Sequence, residues 1–205
     1  MKQVGDIYTF GSINYELLEN NIIPKISRTK FMVWLNFSAI VLIFVGIGIH
    51  LAIFSSGSGI FEIDESSLII FAIYIVGFFL FILVHELLHG IAFRFIGKIS
   101  KEDIVFGVQL KSGVAYCVSK IPVSVYASRL SLMMPVYVIC LPLYILSIIL
   151  GNVWMGIYAI LLFSGSVGDI YYLWKLRKKD KDYYMYETMP TKSGYEIGYL
   201  LFKKL

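Results

Sequence analysis

The stretch Leu68–Ile96, LIIFAIYIVGFFLFILVHELLHGIAFRFI, decides how this chain reads. Its first 17 residues carry no charge; His85, Glu86 and His89 then fall within five positions, and the apolar character resumes to Ile96. A helix needs about 20 residues at 1.5 Å each to cross a hydrocarbon layer about 30 Å thick. This run is long enough to cross and to tilt or project into water at its far end.

Three further runs match it. Phe31–Phe54 is 24 residues without Asp, Glu, Lys or Arg. The third runs from about Leu130 to Leu150, and the fourth from Val153 to Trp174. Hydrophobic residues make up 58% of the 205 and charged residues 16%, against roughly 45–50% and about 25% in a soluble domain. Mean hydropathy is +0.76. A soluble core of this size could not hide so much apolar surface, so the chain reads as a multi-span membrane protein. The composition excludes disorder, collagen and a disulfide-stapled domain. The two cysteines, Cys117 and Cys140, lie outside any metal or redox spacing and read as small apolar residues.

Charge orients the spans. The polar first 30 residues show no cleavable signal pattern and end in Lys25, Arg28 and Lys30 against the first span. The loop 55–67 holds Glu62, Asp64 and Glu65 and no lysine or arginine. Basic residues return in 97–129 and again from Lys175 to Lys181. The positive-inside rule then places both termini and the 97–129 segment in the cytosol, in a multi-pass protein of the cell membrane. The net charge of +4 reads as cytosolic and lipid-headgroup contact, with no nucleic-acid partner.

The expected fold is an all-α membrane protein with four transmembrane helices. A short cytosolic-side β-hairpin (104–110, turn 111–113, 114–119) is expected between the second and third. Residues 1–30 form a polar cytosolic segment, 31–174 the membrane domain (spans about 31–54, 68–96, 130–150 and 153–174) and 175–205 a basic cytosolic tail.

His85-Glu86-Leu87-Leu88-His89 is an H-E-x-x-H motif. On a helix, i and i+4 share a face, so His85 and His89 can hold one metal ion together. Glu86, about 100° around, can reach a water on that metal without being a ligand. The bland reading is a pair of histidines bonded to neighbouring helices, or a purely structural metal. Three ionisable groups in five residues of a span argue for function, because each is costly in hydrocarbon.

A catalytic zinc needs a third protein ligand and an open position. His50 sits at the outer end of the first span and reads as an interfacial or inter-helix hydrogen-bonding group. Asp169 is the only acidic residue of the fourth span. Entering from outside, His85 lies 17 residues into the second span and Asp169 16 residues into the fourth, so both reach about 25 Å down. The alternative for Asp169 is a cap, or a pairing with Lys175 or Arg177. Asn36 and Arg94 read as inter-helix or snorkelling groups, and Tyr171, Tyr172 and Trp174 as an interfacial aromatic belt.

These residues resemble the site-2-protease-like intramembrane zinc metalloproteases, and most closely the compact zincin peptidase domain family. The resemblance covers roughly Ile69 to Trp174. It rests on the H-E-x-x-H helix, on Gly168-Asp169 in a later span, and on Leu132-Met133-Met134-Pro135, similar to a small-residue-plus-proline motif. It implies Zn2+ as cofactor, His85, His89 and Asp169 as ligands, Glu86 as the catalytic carboxylate, and a membrane-protein or peptide substrate. One departure is clear: the Asn-Pro that often precedes the aspartate is replaced by Ser164, Gly165 and Ser166, which leaves an oxyanion-stabilising group unassigned. The rival expectation is a non-catalytic membrane metal-binding or partner-binding protein that retains a zincin-like site.

Overall fold

The computed structural model describes residues 2–54, 65–109, 114–188 and 197–205. The first thirty residues are not irregular. They form β1 (Lys2–Val4), β2 (Ile7–Phe10) and β3 (Ile13–Asn20), two successive hairpins. Each hairpin turns on two residues, Gly5-Asp6 and Gly11-Ser12. The glycines adopt φ +59° and +61°, which a tight hairpin of this kind asks of its first central residue.

Two long helices follow, α1 (Lys25–Phe54) and α2 (Glu65–Phe95). Strands β4 (Ile104–Gln109) and β5 (Val114–Ser119) pair antiparallel where the hairpin was expected; its turn lies outside the described residues. After β6 (Val123–Ser124), α3 (Val125–Pro135) starts on the Ser124 side chain, which accepts from the Ala127 amide. Pro135 ends that regular stretch, and a wider π-helical turn over Val136–Cys140 leads into α4 (Leu141–Ile149).

The run read as a continuous fourth span is broken. It consists of α5 (Val153–Ser164) and α6 (Val167–Leu176), bent by 52°. The Gly165 and Ser166 amides fall back onto the carbonyls three residues before them, closing α5 and freeing a new helix start. Three helical segments, Ser27–Phe54, Ala72–Phe95 and Val125–Ile149, are long and apolar enough to cross a membrane, and the bent pair makes a fourth if taken as one.

After α6 come β7 (Tyr184–Glu187) and β8 (Tyr199–Lys204). They join the amino-terminal hairpins and β6 in a six-stranded antiparallel sheet, order β1-β2-β3-β8-β7-β6. The all-α expectation is therefore overturned: the structure holds this sheet and the two-stranded β4–β5 sheet. The amino-terminal segment and basic tail, expected as separate flanks, are neighbours through β3 and β8. What makes the sheet stable is an aromatic core. Tyr8, Phe10, Tyr15 and Phe202 are buried together, with ring centroids 5.1–6.0 Å apart across the Tyr8–Phe202, Phe10–Tyr15, Phe10–Phe202 and Tyr15–Phe202 pairs.

A second cluster of Val125, Leu176, Met185, Tyr199 and Leu201 fastens the sheet to the start of α3 and the end of α6. Arg129 donates to the carbonyls of Leu176 and Lys179, satisfying the frayed end of α6. The sheet is thereby fixed over one end of the helices.

Glycines let the helices approach. A Cβ at Gly156 would lie 2.1 Å from His50 Cε1, whereas one at Gly48 would meet open space. His50 is fully buried with Nε2 3.1 Å from the Val153 carbonyl oxygen, so it ties α1 to α5, as an inter-helix group. Gly156→Ala is expected to destabilise the protein by about 1–3 kcal/mol through overpacking. Gly48→Ala should change stability little, and thermal unfolding in detergent compares the two.

Candidate metal centre

The helical repeat places His85 and His89 one above the other on α2, with ring centroids 4.8 Å apart. Both are buried. The break at residues 165–166 sets Asp169 in the first turn of α6, facing them. His85 Nε2 lies 3.0 Å from Asp169 Oδ2, and His89 Nε2 lies 3.6 Å from Oδ1. One ligand atom from each of the three residues falls within 4.8 Å of the other two.

The donors suit a zinc ion. Around zinc at about 2.0–2.1 Å in a tetrahedron, ligand atoms stand about 3.3 Å from one another. The observed 3.0 and 3.6 Å bracket that value. Asp169 Oδ2 is buried and receives no aligned hydrogen bond, although an imidazole nitrogen is so near. A buried carboxylate oxygen without a well-aligned donor, set against two imidazole nitrogens, is what a cation there would satisfy. His89 Nδ1 sits 3.0 Å from the Ser131 carbonyl oxygen. A carbonyl can only accept, so Nδ1 carries the proton and Nε2 keeps its lone pair for the site. The edge of Phe81 packs on His85, with centroids 5.4 Å apart.

Glu86 is half-buried and accepts a hydrogen bond from the backbone of Cys117 on β5. That contact turns it towards the hairpin and leaves the metal face of α2 to the histidines. Gly90, next on the helix, lets β4 and β5 close in: a Cβ there would meet Phe106 at 2.3 Å and Cys117 Sγ at 3.4 Å. Burial pushes the Cys117 thiol up to about 12, with Glu86 and Glu187 adding to the rise, so it stays a neutral apolar group.

Glu86 and the three candidate ligands line one cavity of about 310 Å³. Asn36 of α1, read as an inter-helix or snorkelling group, also lines it while staying exposed overall. Arg94 instead donates to the Ile99 carbonyl at 3.0 Å. Asp169 makes no ion pair with Lys175 or Arg177 among the described residues. Lys175 stands over the Tyr171 and Trp174 rings, and Arg177 over Trp174. Tyr171 packs edge-on against Phe31 of α1 at 4.9 Å, and Tyr172 against Tyr199 of β8 at 5.9 Å. Tyr171 therefore ties α6 to α1, Tyr172 ties α6 to the sheet, and Trp174 stays exposed.

One cavity residue escaped the sequence reading. Glu187, at the end of β7, lines the same space. Burial pushes its carboxyl up to about 8; His89 opposes the rise, and the Asp169 and Glu86 carboxylates add to it. Among the described residues, no lysine or arginine lines the cavity. The only sequence signal for Glu187 was an acid in a tyrosine-rich tail, too weak to single out.

Residues 78–184, more than half of the chain, match a family model described as "Putative zincin peptidase". No curated protein and no solved structure is matched by the chain.

Proposed function

Because the chain belongs to this zincin peptidase family, which points to a metallopeptidase, we propose that it acts inside the membrane in the manner of site-2 proteases. On this reading it hydrolyses peptide bonds in or beside the membrane segments of protein substrates. The observation that carries this is the convergence of His85 and His89, on a helix long and apolar enough to cross a membrane, with Asp169, on the second half of the bent α5–α6 pair, and Glu86 beside them. The basic 175–181 stretch supports a cytosolic position for both termini, the sheet and this end of the site in the cell membrane.

Zinc, when bound, would supply Lewis acidity that lowers the pKa of a water and polarises the scissile carbonyl. His85, His89 and Asp169 would hold it, and the aspartate charge would offset part of its own. Glu86 takes one proton from the attacking water as its oxygen bonds to the carbonyl carbon. The same carboxyl returns that proton to the nitrogen as the C–N bond breaks. On this reading Asn36, a side-chain amide lining the same cavity, would donate to the carbonyl oxygen as charge develops there.

A peptide in a helix hides its carbonyl carbons, so substrate must be presented extended. β5 supports this role. It pairs only with β4 among the described residues, and Ala115–Ser119 line the cavity. An extended segment could add to its open edge.

Peptides spanning known membrane segments, incubated with the zinc-loaded protein in liposomes and analysed by mass spectrometry, test the proposal. Internal cuts near one membrane face are expected. Stoichiometric zinc with no cut in any peptide would favour a metal-binding protein and overturn the protease reading.

Glu187 adds a charge preference to this reading. A docked ammonium would favour its ionised form, and cytosolic membrane borders are rich in lysine and arginine. Glu187→Gln is expected to lower kcat/KM about tenfold on peptides with lysine beside the cut, the loss of one ion pair of about 1.4 kcal/mol. Methionine counterparts should stay within about twofold, and equal losses on both would contradict the preference.

A further inference from the structure

Pro135 is not used by the mechanism above, yet it is buried at the break in the third span, four residues after Ser131. In a regular α-helix the carbonyl of residue 131 accepts from the amide of residue 135. Proline has no amide hydrogen, so that carbonyl lacks its helical donor. Leaving it bare in the interior would cost about 1–3 kcal/mol. The structure supplies another donor: the His89 ring, whose Nδ1 lies 3.0 Å from the Ser131 oxygen.

The same turn holds the ring from a second side. Ser131 is 1% exposed, its Oγ is 3.3 Å from His89 Nδ1, and it lies 3.4 Å from the His89 carbonyl oxygen. After Pro135 the chain does not resume its regular ladder but widens into the π-helical turn. The Val136 amide turns to the Met133 carbonyl and not to that of Ser131.

We propose that Pro135 is a positioning residue for the metal centre. By withholding an amide, it reserves the Ser131 carbonyl for His89 Nδ1–H, which fixes the tautomer that points a bare Nε2 at Asp169 and the metal position. An ordinary residue at 135 would restore the competing amide, and His89 would have to share or give up its acceptor. Outer partners of this sort commonly set metal affinity by about 10–100-fold. This rests on His89 being a zinc ligand, as proposed above, but not on any peptide being cut.

Two measurements test it. The first is zinc affinity of the full chain in detergent, by competition with a chromophoric chelator, for the native protein, Pro135→Ala and Pro142→Ala. Pro142 opens α4 and lies outside the cavity lining, so it controls for loss of a helix proline as such. Pro135→Ala is expected to weaken zinc about 10–100-fold, and Pro142→Ala to leave it within about twofold.

The second is nitrogen-15 NMR of zinc-loaded protein labelled at histidine. The native protein should show His89 protonated at Nδ1, with that proton slow to exchange with water. In Pro135→Ala the proton should exchange markedly faster. A native spectrum with His89 protonated at Nε2, or with a rapidly exchanging Nδ1 proton, would overturn the proposal even if the variant failed to fold. So would a folded Pro135→Ala that keeps native zinc affinity, or one that loses affinity while the Nδ1 proton stays protected.

Discussion

Glu86→Gln is expected to bind zinc as the native protein does and to cut peptides about 10²–10⁴-fold more slowly. The substitution keeps the side chain's size and a carbonyl oxygen that can accept from the Cys117 backbone, so the helix and hairpin stay in place. It removes the one thing the mechanism needs there, an oxygen that can take and return a proton. Metal content by elemental analysis and initial rates on the same preparation check both halves. Undiminished cleavage would mean that Glu86 moves no proton. Loss of the metal would mean that it holds it.

Asp169→Ala is expected to give the complementary pattern. It removes the only anionic donor among the three converging residues and leaves the two α2 imidazoles with no donor opposite them on α6. Zinc affinity should fall by more than about 100-fold, beyond the range typical of outer-shell partners, and cleavage should fall with it. The helices and sheet are held by packing elsewhere, notably Leu176 against Val125 and Tyr199. Circular dichroism should therefore stay close to native. Full zinc occupancy in this variant would show that the third donor lies elsewhere.

The contrast between these variants follows from how the site is encoded. The histidines and Glu86 were legible because metal geometry demands a fixed helical spacing, and i, i+4 is written directly in the chain. Asp169 was legible for a different reason: in a span almost free of charge, one carboxylate at the depth of His85 stands out. The structure brings them together with Nε2–Oδ separations of 3.0 and 3.6 Å. The break that orients Asp169 was present as Ser164-Gly165-Ser166, but that triplet does not say by how much the helix turns.

The sheet was not legible in the same way. Its strands are short, and the decisive pairing joins Tyr15 to Lys204 and Asn20 to Leu200, contacts that no local period reveals. Local hints existed in Gly5-Asp6 and Gly11-Ser12, which bracket a strand, Ile7–Phe10, whose residues alternate in and out. Against so apolar a chain, the polar ends read as flanks. Their buried aromatic face, Tyr8, Phe10 and Phe202, shows that they form a core of their own. Glu187 was lost with the sheet, since only the β7–β8 pairing brings it to the cavity.

Zinc dependence gives the most direct test. The purified protein is stripped by a chelator and titrated with zinc while cleavage of a membrane peptide and bound metal are followed together. No cleavage is expected without metal, and full return of activity is expected as one zinc ion binds per chain. Cleavage that persists in the stripped protein, or that returns without zinc bound at His85, His89 and Asp169, would contradict the zinc-protease reading.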